Sequence, residues 1–189
     1  MTIAQPLVPS AATAAVLFLD LQEEIVKNNR TCDGLAVHAG ALAKLAALHA
    51  LPAIASSVPP GGAYLANVLA ALPAIAPMPR TFTSAFADEA TAAAIAATGR
   101  RTLVLSGVAS EIVVQRTALD GLALGYTVFV AVDACGGVSA RTEDAAWRRI
   151  VAAGGVTTSV TTFAAELAGD FTAELGGKTL GIMYKTLGG

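Results

Sequence analysis

Arg101 to Val138 reads RTLVLSGVASEIVVQRTALDGLALGYTVFVAVDACGGV. A short apolar run, a stretch of helical length and a second apolar run predict a strand over 102–106, a tight turn at 107–110, a helix over 111–124 and a strand over 126–132. Two such strands joined by a helix form a β-α-β unit, which implies a parallel sheet. Ligands of parallel sheets bind beyond the carboxyl ends of the strands. The turn at 107–110 and the glycine-marked stretch at 133–138 therefore fall on the rim expected to carry function. Backbone N–H groups at the start of the 111–124 helix point at that rim and favour negative charge there.

Upstream, the apolar run over 13–19 ends at Asp20 and predicts a central strand, apolar on both faces. Asp33 is positioned to cap a helix running to Leu48. Further strands are predicted over 51–56, 74–78 and 156–160, and helices over 63–72, 88–98, 142–153 and 162–167. From Gly169 onward periodicity is weak, and this tail is expected to cross the surface or pack on a neighbour. Strand–helix alternation gives a three-layer α/β/α, Rossmann-like fold around a six-stranded, mainly parallel sheet. The whole chain is expected to be one domain, with its core over about 10–170.

The chain has 189 residues, enough for a single sizeable core. Apolar residues make up 54% and charged residues 14%, a thin charged surface that favours homo-oligomerisation. Net charge is -2, with no basic cluster beyond Arg148–Arg149, so no nucleic-acid partner is expected. The uncharged stretch 51–79 is too interrupted by proline, at Pro52, Pro59, Pro60, Pro73, Pro77 and Pro79, to form one membrane span. Two cysteines, Cys32 and Cys135, make no disulfide framework, and a cytoplasmic location is expected. His38 and His49 lie about three turns apart on one predicted helix and cannot chelate one metal ion. No G-x-G-x-x-G fingerprint is present, so no dinucleotide cofactor is expected.

Asp20, at a strand end on the predicted rim, can serve as general acid or base, or can simply cap a loop. The octet G-V-A-S-E-I-V-V at 107–114, with T-A-L-D-G at 117–121 and V-D-A-C-G at 132–136, resembles the isochorismatase-like (cysteine hydrolase) superfamily. L-F-L-D-L-Q at 17–22 resembles its first motif, and S-A-F at 84–86 a later segment that follows a lysine. The stretch from Glu143 through Trp147 to Glu166 resembles YcaC-like members.

The resemblance implies that Asp20 transfers protons and that Gln22 lines the site. It places Arg80 in the role of the lysine, where it would hold Asp20 ionised. Phe86, Ala109 and Val113 fall in substrate-binding positions, and a cis peptide is implied at Val108–Ala109. The seventh octet position, a nucleophilic cysteine in most amidase members, is Val113 here. Valine cannot attack a carbonyl carbon, so cysteine-dependent amidase activity is not expected. Ser106, Ser110 and Cys135 are the nearby residues that could replace the thiol, although Ser110 is also placed to cap the helix.

True isochorismatases also lack that thiol, and their aspartate assists vinyl-ether cleavage. They carry a small residue at the position of Val113 and a histidine at that of Glu111. The nicotinamidase Asp-x-His metal motif has no match, and no metal is expected. Two readings follow. One is a hydrolase acting without cysteine on a small amide, ester or vinyl ether, with Asp20 as general acid and base. The other is an inactive relative that binds a small carbonyl or carboxylate ligand, or serves as an oligomeric scaffold.

Overall fold

The computed structural model describes residues 8–187. Its elements run β1 (Ala14–Leu19), α1 (Glu23–Lys27), α2 (Leu35–Leu48), β2 (Ala53–Ser57), α3 (Ala66–Ala71), β3 (Met78–Pro79), α4 (Glu89–Ala97) and β4 (Thr102–Val108). A π-helical turn (Ser110–Val114) then leads into α5 (Gln115–Ala123), β5 (Thr127–Gly136), α6 (Ala140–Ala152), β6 (Val156–Thr158), α7 (Val160–Ala168) and α8 (Glu174–Leu187).

The six strands form one parallel sheet in the order β3-β2-β1-β4-β5-β6. Alternation along β1 sends Ala14, Val16 and Phe18 to one face and Ala15, Leu17 and Leu19 to the other, and all six are buried. Helices α2, α3, α7 and α8 cover the first face; α4, α5 and α6 cover the second. Burial on both sides is why β1 reads as an unbroken apolar run.

Chain order reverses between β1 and β4, leaving a crevice at their carboxyl ends. Leu19 pairs with Ser56 on one side and Gly107 on the other. Gly107 permits that closeness, since a Cβ there would lie 2.6 Å from the Leu19 carbonyl oxygen.

Several predicted boundaries are corrected. β3 has two residues rather than five, because Pro77 and Pro79 supply no backbone donors to a ladder. Asp33 does not cap α2; Gly34, at φ 73°, takes the N-cap position. β5 continues to Gly136, so Asp133 and Cys135 belong to a strand and not to a loop. The pairing of β4 with β5 slips between Leu105 and Gly107, which bends this end of β5 and re-aims its side chains. The tail folds into α8 on the chain's own α2 and α7.

Candidate active site

Asp20 follows directly after β1, where its N–H donates to the Ser56 carbonyl at 3.0 Å. Its φ of 56° lies in the left-handed region, which aspartate tolerates better than most residues but which still costs energy. The side chain is buried, at 4% exposure. Ser56 Oγ donates to Asp20 Oδ1 at 3.0 Å, Arg80 Nη2 pairs with Asp20 Oδ2, and Arg80 Nε donates to Ser56 Oγ at 3.3 Å. Arg80 is 3% exposed and is delivered by its own N–H, which donates to the Ser57 carbonyl just after β3.

Burial raises the Asp20 carboxyl above its usual 3.8, while Arg80 and then Ser56 pull it down. Desolvation therefore outweighs the guanidinium that was expected to hold the acid ionised. Burial also lowers Arg80, opposed by Asp20, yet a guanidinium starts so high that it stays charged.

The opposite wall is the junction of β4 with the helix beyond it. A cis peptide joins Val108 to Ala109, as the resemblance implies. The helix then opens as the π turn rather than as a regular α-helix from Glu111. Asp20, Arg80, Ala109 and Val113 line one cavity of about 370 Å³. Val113, 2% exposed, also packs with Leu19 and Leu105 in the core beneath.

The alternative nucleophiles are engaged elsewhere. Ser106 Oγ donates to the Ala134 carbonyl at 2.6 Å. Ser110 Oγ lies 3.0 Å from the Gly136 carbonyl and 2.6 Å from Glu143 Oε1, so it ties β5 and α6 together and does not cap the helix. Cys135 is buried on the α5 face, where desolvation pushes its thiol far up. Cys32 packs on the other face, and burial with nearby Glu143, Asp33 and Glu111 raises it to about 11. Both thiols are protonated at neutral pH, and neither lines the cavity.

Two predicted contacts are placed differently. Gln22 turns into the protein, accepting from the Val58 N–H at 2.8 Å and donating to the Val58 and Gly62 carbonyls at 3.2 Å. It shapes the 58–62 turn and does not line the cavity. Phe86 lies behind the site, against Tyr126 with ring centroids 5.4 Å apart.

Ser56 was not singled out in the sequence. Its signal is a hydroxyl at the carboxyl end of an otherwise apolar strand, A-I-A-S-S. Also unanticipated were Asn28 and Asn29, just after α1, and the exposed residues 81–83, all of which line the cavity. The histidines serve separate contacts: His49 Nε2 meets Thr179 Oγ1 at 2.8 Å, and His38 Nδ1 lies 3.3 Å from Asp133. Among the described residues, no group of three or more His, Cys, Asp or Glu side chains could hold a metal ion.

Residues 14–162 match the isochorismatase domain model. The chain belongs to the isochorismatase family. Its fold is that of YcaC from Pseudomonas aeruginosa, solved with hexane-2,5-diol and covalent acrylamide, with a TM-score of 0.89 and 28% identity over 96% of this chain and 94% of that one. The Escherichia coli YcaC gene product, described as an octameric hydrolase of unknown specificity, gives a TM-score of 0.90 and 27% identity over 97% and 92%. In sequence, a segment of 61 residues is 39% identical to the probable hydrolase YcaC of Escherichia coli (strain K12), covering 32% of this chain and only 29% of that relative's length. Among the described residues, no helix is long and apolar enough to cross a membrane.

Proposed function

We propose that this member of the isochorismatase family is a hydrolase that works without a cysteine nucleophile, on a small amide, ester or vinyl ether. Asp20 carries the reading: a desolvated carboxylate in a strained backbone, opening on a cavity with Arg80 and Val113. Ser56 and Arg80 each occupy one lone pair of an Asp20 oxygen, and each oxygen keeps a second. On an amide or ester, Asp20 takes a proton from water as the water oxygen adds to the carbonyl carbon, then returns it to the departing nitrogen or oxygen as that bond breaks. On a vinyl ether, protonated Asp20 gives its proton to the double-bond carbon distal to the oxygen, then takes one from the water that adds to the other carbon before the C–O bond breaks. The opening turn at 109–113 belongs to a helix start, whose first amides lack intrahelical acceptors and suit a developing oxyanion.

Small amides head the test panel because the Pseudomonas relative was solved with a covalent acrylamide. The octameric relative supports assembly of this chain into a homo-oligomer, and a cavity of about 370 Å³ suits a small molecule as its ligand. A cytoplasmic setting suits the unpaired Cys32 and Cys135. Among the described residues, the cavity wall carries no thiol and no hydroxyl other than those of Thr81 and Thr83, which favours the second reading, an inactive ligand-binding relative.

Hydrolysis of a panel of small amides, esters and enol ethers separates the two. Asp20→Asn is expected to lower turnover by about 10²- to 10⁴-fold. Unchanged turnover, or none in the natural chain, removes the hydrolase reading.

A further inference from the structure

The cavity at Asp20 does not end at Val58. A second cavity of about 330 Å³ shares Ile25, Asn28, Asn29 and Val58 with it and continues over Pro59, Pro60 and Gly61. The two are lobes of one groove that runs from the Asp20–Arg80 pair, past α1, to the 58–62 turn held by Gln22.

The charge along this groove is unusual for a site meant to hold an ionic ligand. Arg80 is the only cation among the described residues that line either lobe, and Asp20 already neutralises it. Glu24 lines the outer lobe. Behind the inner rim, Glu111 Oε1 accepts the Val138 N–H at 3.0 Å. A ligand carboxylate would have to compete with Asp20 for Arg80 while passing two acids. A ligand ammonium would find Asp20 already paired and would lose its hydration against an apolar wall.

That wall is extensive. Phe82, Ile112 and Val138 ring the mouth at 53%, 50% and 51% exposure, and Ile25, Val58 and Val113 continue inward. Half-exposed large apolar side chains clustered around one opening mark a surface made for apolar contact.

We infer that the substrate class is an uncharged carbonyl compound with a linear apolar chain, its carbonyl at Asp20 and its chain running past Val58 towards Pro59–Pro60. This rests on the proposed reading for the identity of the reacting end, but the groove's preference is a property of binding and can be measured without turnover.

The test is calorimetric titration of the natural chain with the amides from propanamide to heptanamide, and with heptanoate and heptylammonium. Affinity is expected to rise about fourfold per added methylene. Heptanamide is expected to bind at least tenfold more tightly than either ion. Val58→Asp, which places a charge at the junction of the lobes, should flatten the chain-length series. If that variant does not fold, the natural-chain series decides alone. A flat series, an ion that binds as well as heptanamide, or no binding of any amide overturns the inference. If the affinity order holds while no probe is hydrolysed, the hydrolase reading fails and the ligand class stands.

Discussion

Asp20 and Asp133 are two aspartates towards the same edge of one sheet, one just after β1 and the other in the last part of β5, and their surroundings have almost nothing in common. Asp133 accepts the Val160 N–H at 2.9 and 3.1 Å, at the start of α7, and faces His38. Its side chain is about a quarter exposed. It does what an aspartate near a helix start ordinarily does, satisfying a free amide there. Asp20 caps no helix. It sits in left-handed backbone, buried against a guanidinium, with open space in front of it. Two identical side chains towards one rim thus separate a structural role from a chemical one. What distinguishes them is burial, partner and strain, none of which is visible in the residue type.

The sharpest way to break this contrast is to remove each aspartate's partner or the aspartate itself and compare stabilities. Arg80→Ala leaves a buried carboxylate without its counter-charge, and the expected loss is about 3–5 kcal/mol. Asp133→Ala removes one helix-start acceptor, and the expected loss is about 1 kcal/mol. Urea denaturation midpoints, with the slope unchanged, measure both. Equal losses would mean that Asp20 and Asp133 are both ordinary structural groups.

The same contrast shows how far the sequence could be read. The β4-α5-β5 unit and β1 were legible because both faces of these strands are buried, so periodicity and length agree. Asp20 was legible as a strand-end acid, but its meeting with Arg80 came only through resemblance, since sixty residues separate them. Ser56, which braces both, carries only the weak local signal of a hydroxyl near the end of a strand, because its role depends on the register of β2 against β1. Gln22 was assigned to the cavity from a motif, and the structure turns it to the 58–62 turn instead. The π turn at 110–114 is read from sequence as plain helix, because i→i+5 bonding leaves no mark on the five-residue stretch S-E-I-V-V. Helix α8 was missed because Gly176, Gly177 and Gly181 weaken its propensity, and packing on α2 and α7 supplies what propensity does not.

A smaller effect sharpens the comparison further, because it follows from the balance around Asp20 alone. Burial raises this carboxyl above 3.8, and Arg80 and Ser56 oppose the rise without reversing it. A carboxyl whose folded value exceeds its unfolded one contributes stability fully below 3.8 and loses it as pH climbs through the folded value. Catalysis by the ionised form runs the other way, rising over that same interval. The natural chain should therefore gain turnover as it loses this part of its stability, and the acid limb of kcat/KM should lie above 3.8. Arg80→Met removes the pull that lowers Asp20 and should move the limb to higher pH. Asp20→Asn should erase the matching component from the pH dependence of the urea midpoint, whereas Asp133→Asn should leave that component in place. An acid limb at or below 3.8 would place desolvation second to the ion pair and make Asp20 a permanently charged partner of Arg80 instead of a proton carrier, and a limb that Arg80→Met leaves unmoved would mean that the titrating group is not Asp20.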